Sequence, residues 1–278
     1  MKIETVKTES LSMDYFRFGH GGEALVILPG LSVQSVMDSA DAVADAYRLL
    51  ADDFTIYVLD RRRDLPAAYP IRDMARDTAD AIRALGLGSA HVLGVSLGGM
   101  VAMSVAIDHP DLARTLVLCS TSARMEEAQC RTVERWVQLA RSGDARGLYL
   151  SFGEALYPRE TFERLREPLA EAAGGVTDGD LSRFVVIAEG MRGFDIADDL
   201  ERISCPMLVV GSRDDRVLGP GEALRIVERL SGRADFEFHL YDGYGHAAYD
   251  TAPDFKERML RFLKTHASEG ESDPHRRS

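Results

Sequence analysis

The chain has 278 residues and carries 33 Lys and Arg against 45 Asp and Glu, a formal net charge of -12 at pH 7. That balance excludes the basic face a nucleic-acid partner needs, and 45% hydrophobic with 28% charged residues suits a globular α/β domain with a sizeable core. Its three cysteines, Cys119, Cys130 and Cys205, form no CxxC pair and no Cys/His set with metal spacing, which excludes a disulfide framework and a zinc site.

Residues 1–18 alternate loosely and predict two short strands with a turn near Glu9-Ser10, followed by the turn signal His20-Gly21-Gly22. Residues 24–28 (Ala-Leu-Val-Ile-Leu) are an unalternating apolar run that stops at Pro29-Gly30, the pattern of a strand buried on both faces. Residues 41–50 predict a helix and 54–59 another buried strand. Residues 71–85 place Met74, Ala75, Thr78, Ala81, Ile82 and Leu85 on one helical face and stop at Gly86. The apolar run into Val95, the small-residue helix from Met100 to Ile107 and the run 114–119 continue the strand–helix alternation. Between about 121 and 203 the alternation lapses into Arg-, Glu-, Ala- and Leu-rich helical spacing, interrupted by Pro158, Pro168 and Gly174-Gly175. Strand 206–211, helix 221–230, strand 236–241 and helix 255–266 complete the chain.

The pattern predicts an α/β protein with a doubly wound, mainly parallel sheet and an inserted helical cap. The core is 1–122 with 203–267, the cap is 123–202, and 268–278, without periodicity, is a disordered tail. Residues 1–5 lack the apolar segment of a secretory signal and no run is long enough to span a bilayer, so a cytoplasmic location without membrane contact is expected. Nothing in the sequence sets an oligomeric state.

The chemistry concentrates at Gly94-x-Ser96-x-Gly98, between the apolar strand and the small-residue helix. A serine on so sharp a turn projects its hydroxyl clear of the backbone, and the glycines remove side chains that would collide. A serine hydroxyl needs a base, and His246, in Gly243-Tyr244-Gly245-His246 after the last strand, is the candidate. An acid must orient that imidazole, and Asp214 and Asp215 compete for the role after Gly211. The other histidines, and Trp136, Tyr149, Phe152 and Phe184 of the insertion, are assigned to structure, packing or a pocket wall.

The elbow, an acid after a later strand and a glycine-flanked histidine near the end resemble the α/β-hydrolase family in identity and order. The resemblance implies a serine hydrolase with nucleophile Ser96, base His246 and oxyanion donors from the backbone N–H groups of Leu97 and Leu31, without metal or organic cofactor. Family members commonly place the acid two residues before an anchoring Val or Ile, which Val217 supplies for Asp215; counting from the glycine favours Asp214, so Asp215 is preferred and Asp214 kept. Pro29 replaces the histidine usual in the loop before Gly30. The expected activity is cleavage of a small-molecule carboxylic ester, thioester or lactone. Carbon–carbon bond hydrolysis of β-diketone-type compounds and a slow-turnover small-molecule receptor are the alternatives. Arg61, Arg62 and Arg63 are read as a solvated charge run, with an entrance favouring anionic substrates as the alternative.

Overall fold

The computed structural model describes residues 1–267. Eight strands, β1 (Ile3–Lys7), β2 (Ser12–Phe18), β3 (Glu23–Leu28), β4 (Phe54–Arg62), β5 (Ala90–Val95), β6 (Ala113–Cys119), β7 (Met207–Ser212) and β8 (Phe236–Tyr241), form one sheet in the order β1-β2-β4-β3-β5-β6-β7-β8. The first two are an antiparallel hairpin laid along β4, and every pairing beyond it is parallel. Strands β5 and β7 are buried at every residue. Helices cover both faces of a parallel sheet, which is why these strands read as unbroken apolar runs.

The helices are α1 (Ala40–Ala46), α2 (Ile71–Ala84), α3 (Leu97–Asp108), α4 (Glu127–Arg141), α5 (Ala145–Leu156), α6 (Arg159–Ala172), α7 (Asp178–Glu189), α8 (Pro220–Leu230), α9 (Ala248–Thr251) and α10 (Phe255–Thr265). Helix α2 buries Ile71, Met74, Ala75, Thr78 and Ile82 on one stripe, and its chain turns away at Gly86, whose φ of +68° is the left-handed conformation glycine adopts at helix ends. Helix α3 is buried from Leu97 to Ile107 on all sides, so it carries no polar face. One sheet face packs on residues such as Ile82, Met100 and Ile226, the other on Leu50, Phe255, Met259 and Phe262.

The chain runs from β3 to β4 on one side and then crosses to lay β5 on the other side of β3. That reversal opens a crevice at the carboxyl ends of β3 and β5, where open parallel sheets bind ligands. Pro29 directly follows β3 and Ser96 directly follows β5.

Helices α4–α7 lie between β6 and β7. Met125 N–H to Phe194 O and Ile196 N–H to Ala123 O, both 2.8 Å, tie the two ends of this insert together. Its core includes the rings of Trp136, Phe152 and Phe184, with centroids 4.4 Å and 6.2 Å apart along the series. Pro168 corrects the sequence reading: it lies inside α6 rather than between helices. It deprives only the Arg164 carbonyl of a donor, and both residues are exposed, so that carbonyl is left on the solvent side of the helix. The tail reading at 268–278 lies outside the described residues. Among the described residues no helix is long and apolar enough to cross a membrane.

Candidate active site

Ser96 has φ 52° and ψ -120°, one of two non-glycine residues with positive φ among the described residues; the other is Ser120, directly after the neighbouring β6. Such a backbone costs on the order of 1–3 kcal/mol and persists only where the surroundings impose it. Here Ser96 N–H donates to Cys119 O at 2.9 Å, and Thr121 Oγ1 donates to Ser96 O at 2.7 Å. Gly98 lies so close to the end of β3 that a Cβ would stand 2.0 Å from Leu28 O and 2.6 Å from Pro29 O. Those obstacles are backbone and cannot swing aside. Gly98→Ala is therefore expected to destabilise the fold by about 3 kcal/mol or more, read as a lower urea midpoint; an unchanged midpoint would show that the elbow can open.

His246 Nδ1 lies 2.8 Å from Asp215 Oδ2, with both side chains almost fully buried. Asp215 Oδ1 accepts from the N–H groups of Val217 at 2.8 Å and Leu218 at 3.0 Å. Burial alone raises the Asp215 carboxyl, but the adjacent His246 and these donors outweigh it and hold the group below the usual carboxylate range. Asp214 points elsewhere. It accepts from Ser212 Oγ at 2.7 Å and from the N–H groups of Gly243 and Gly245, both at 3.0 Å, and so braces the loop that carries His246. The structure thus brings His246 to Asp215 and not to Asp214.

Ser96 Oγ makes no hydrogen bond among the described residues, His246 Nε2 included, and Ser96 keeps 9% of its surface. Hydrogen bonds of this kind often tighten only around bound substrate. Gly30 stands against the serine: a Cβ there would lie 3.3 Å from Ser96 Cβ. The N–H groups of Leu31 and Leu97 have no hydrogen-bond partner among the described residues. Leu97 opens α3, whose amino-terminal end carries the positive pole of the helix dipole.

Arg61 departs from the sequence reading. It lies within β4, is 4% exposed, and donates from Nη2 to Pro29 O at 2.9 Å. Burial pushes its guanidinium below the ordinary value, against the pull of neighbouring Asp60. Asp60 accepts from Ser35 Oγ at 2.5 Å, from Arg61 N–H at 2.7 Å and from Arg183 Nη2 of α7 at 2.6 Å. The loop 29–35 is therefore anchored at both ends, by Arg61 at Pro29 and by Asp60 at Ser35. Arg62 pairs with Asp77 and donates to Ser10 O, while Arg63 pairs with Asp14, so both brace the amino-terminal hairpin. None of the three arginines lines the cavity beside this edge. The sequence signal for the anchoring was an Asp-Arg pair placed where a buried strand ends.

That cavity has a volume of about 430 Å3 and is bordered by Gly30, Leu31 and Val95 near the serine and by Tyr149 and Phe152 of α5 above. Tyr149 donates its hydroxyl to Gln34 Oε1 at 2.7 Å, joining the insert to the loop. His91, assigned to structure, is buried, with Nδ1 2.9 Å from Thr115 Oγ1 and Nε2 3.1 Å from Glu23. Among the described residues no group of three or more His, Cys, Asp or Glu is placed to hold a metal ion.

Residues 25–255 match the family model described as "Alpha/beta hydrolase family". A protein of Agrobacterium fabrum named "Putative carbamate hydrolase RutD" is 30% identical over 224 residues, covering 77% of this chain and 84% of the relative. Among solved structures, MGS-M2, an alpha/beta hydrolase enzyme from a Medee basin deep-sea metagenome library, superposes with a TM-score of 0.82 at 19% identity, covering 94% of this chain and 97% of that one. The enol-lactonase from Burkholderia xenovorans gives 0.80 at 17% identity, covering 94% and 100%.

Proposed function

The chain belongs to the alpha/beta hydrolase family, and we propose that it is a serine hydrolase cleaving a carboxylic ester, thioester or lactone of a small molecule through an acyl-enzyme. The observation that carries this reading is the buried His246–Asp215 pair, at the same strand-end edge as the strained Ser96. Asp215 keeps the proton of His246 on Nδ1, which leaves Nε2 free to accept. Ser96 Oγ attacks the carbonyl carbon as Nε2 takes its proton. The resulting oxyanion is held by the unpartnered N–H groups of Leu31 and Leu97. The imidazolium returns its proton to the leaving oxygen or sulfur. Water then attacks the acyl-enzyme by the same route and frees Ser96. The insert α4–α7 acts as the cap, since α5 closes the cavity over the loop that supplies Leu31.

In this reading Arg61 is a positioning residue. Its bond to Pro29 O sets the peptide run that delivers the Leu31 N–H, and the loss of one oxyanion donor costs about 100- to 1,000-fold in kcat. Arg61→Met is expected to lower kcat by up to that range with a smaller change in KM. Arg61→Lys, which keeps a cationic donor, is expected to recover part of it. Equal kcat for Arg61→Met and wild type would show that the loop holds its shape without this bond.

The reading is tested by turnover across a panel of p-nitrophenyl esters, thioesters and lactones. It predicts hydrolysis of at least one class, lost in His246→Ala. Tight binding of panel members with no turnover is the signature of the receptor alternative.

A further inference from the structure

The cavity beside Ser96 has chemistry of its own. Its floor is the sheet residues Ile27, Val58 and Val95, and its roof includes Phe152 and Leu156 of α5. Among the described residues no Lys, Arg or His lines it, and Asp38 is its one acidic lining residue. A carboxylate or phosphate drawn inside would lose its water beside a residue of its own sign with no counter-charge on the lining, since the nearby Lys256 Nζ donates to the carbonyls of Tyr249 and Asp250.

Four tyrosines line the same space. Two are engaged: Tyr149 with Gln34 as above, and Tyr157, which donates to Asp250 Oδ2 at 3.3 Å. The other two are Tyr47, at the carboxyl end of α1, and Tyr249 of α9, and neither hydroxyl makes a hydrogen bond among the described residues. Among the described residues the fully covered side-chain polar atoms without a partner are Arg61 Nε and Nη1 and Arg258 Nε, and neither tyrosine oxygen is among them. Both hydroxyls therefore keep accessible surface, and the space that the two residues jointly border is the cavity. Burial raises both phenols, and for Tyr249 the neighbouring Tyr157, Asp250 and Tyr47 add to it, so each is a neutral donor. Lys256 Nζ stands 5.5 Å from the centre of the Tyr47 ring, so a cation already occupies that neighbourhood and a cationic ligand gains nothing there.

Resting on the serine-hydrolase reading, we propose that this cavity is the specificity site for a neutral ester or lactone whose mainly apolar body carries a second oxygen, a keto or ether group, that accepts from the hydroxyls of Tyr47 and Tyr249. The apolar floor and roof take the body. The two phenols read the oxygen. Ionic analogues of the same size are rejected.

The test uses four p-nitrophenyl esters of equal acyl length, with a plain alkyl, a keto-bearing, a carboxylate-ended and a trimethylammonium-ended acyl group. The same four acyl groups are also made as methyl ketones, which bind without being cleaved. The keto ester is expected to exceed the alkyl ester in kcat/KM by about tenfold or more, mainly through KM, and both are expected to exceed the two charged esters. In Tyr47→Phe, Tyr249→Phe and the double variant, checked for unchanged Tm, the keto-over-alkyl ratio falls stepwise toward one. A charged ester that is preferred overturns the neutral assignment, and a ratio that survives in the double variant overturns the tyrosine assignment. If wild type cleaves none of the esters, the serine-hydrolase reading fails. Calorimetric binding of the four ketones then decides the cavity's preference separately, by the same order and the same loss in the double variant.

Discussion

Ser96→Ala is expected to reduce kcat by about six orders of magnitude, leaving only the residue of rate that binding and oxyanion donors supply. No other hydroxyl stands in for it in this account: the neighbouring Thr121 hydroxyl is committed to Ser96 O. The same position carries a second expectation, on stability. With φ at 52° and ψ at -120°, alanine inherits the strain of serine, whereas glycine relieves it. Ser96→Gly should therefore be more stable than Ser96→Ala by about 1 kcal/mol, read from urea midpoints, while equally inactive. A Ser96→Ala protein with near-native turnover would remove the serine from the mechanism.

The second large effect separates two adjacent carboxylates. In Asp215→Asn the side-chain oxygen remains the only acceptor for the Val217 and Leu218 N–H groups, both of which bond Oδ1. The amide NH2 then faces His246 Nδ1 from the place of Oδ2. A donor there forces Nδ1 to accept, moves the imidazole proton to Nε2, and leaves nothing to take the proton of Ser96. The expected loss is about 10,000-fold in kcat. Asp214→Asn keeps one acceptor oxygen and weakens the brace to Gly243 and Gly245, so about a tenfold loss is expected, with a lower Tm. The reverse ranking would reassign the acid.

The pH dependence follows from the same carboxylate. The Asp215 pKa is depressed in the folded protein, so the stability it contributes is complete above the ordinary carboxylate pKa and is lost as pH falls through the lowered value. Asp215→Asn should remove that acid-side loss, giving a flatter dependence of the urea midpoint on pH in the acid range than wild type shows.

Much of the fold was legible because its causes are local and periodic. Unbroken apolar runs marked the doubly covered strands, and the all-round burial of α3 was written in its small and apolar residues. The choice between Asp214 and Asp215 turned on Val217, and the structure gives the reason that rule has force: Val217 is buried and its N–H bonds the carboxylate that reaches His246. Arg61 differs from its reading as a solvated charge because charge alone does not tell a solvated strand end from a buried anchor. Arg61 is drawn inside by one partner, Pro29 O, supplied by a loop 32 residues away in the chain. The latch between Gln34 and Tyr149 spans 115 residues and leaves no periodic trace. The cavity is shaped mostly by such contacts between the loop 29–39 and the insert, which is why the candidate site residues are legible in the sequence and the shape of the space beside them is not.

The central claim is that Ser96 is a nucleophile activated by His246. Its most direct measurement is labelling with an active-site-directed fluorophosphonate, followed by peptide mass spectrometry. One phosphonyl group per chain is expected, on Ser96, with no labelling of Ser96→Ala and strongly slowed labelling of His246→Ala. Labelling of Ser96→Ala at the wild-type rate, or a wild-type adduct mapped to another residue, would contradict it.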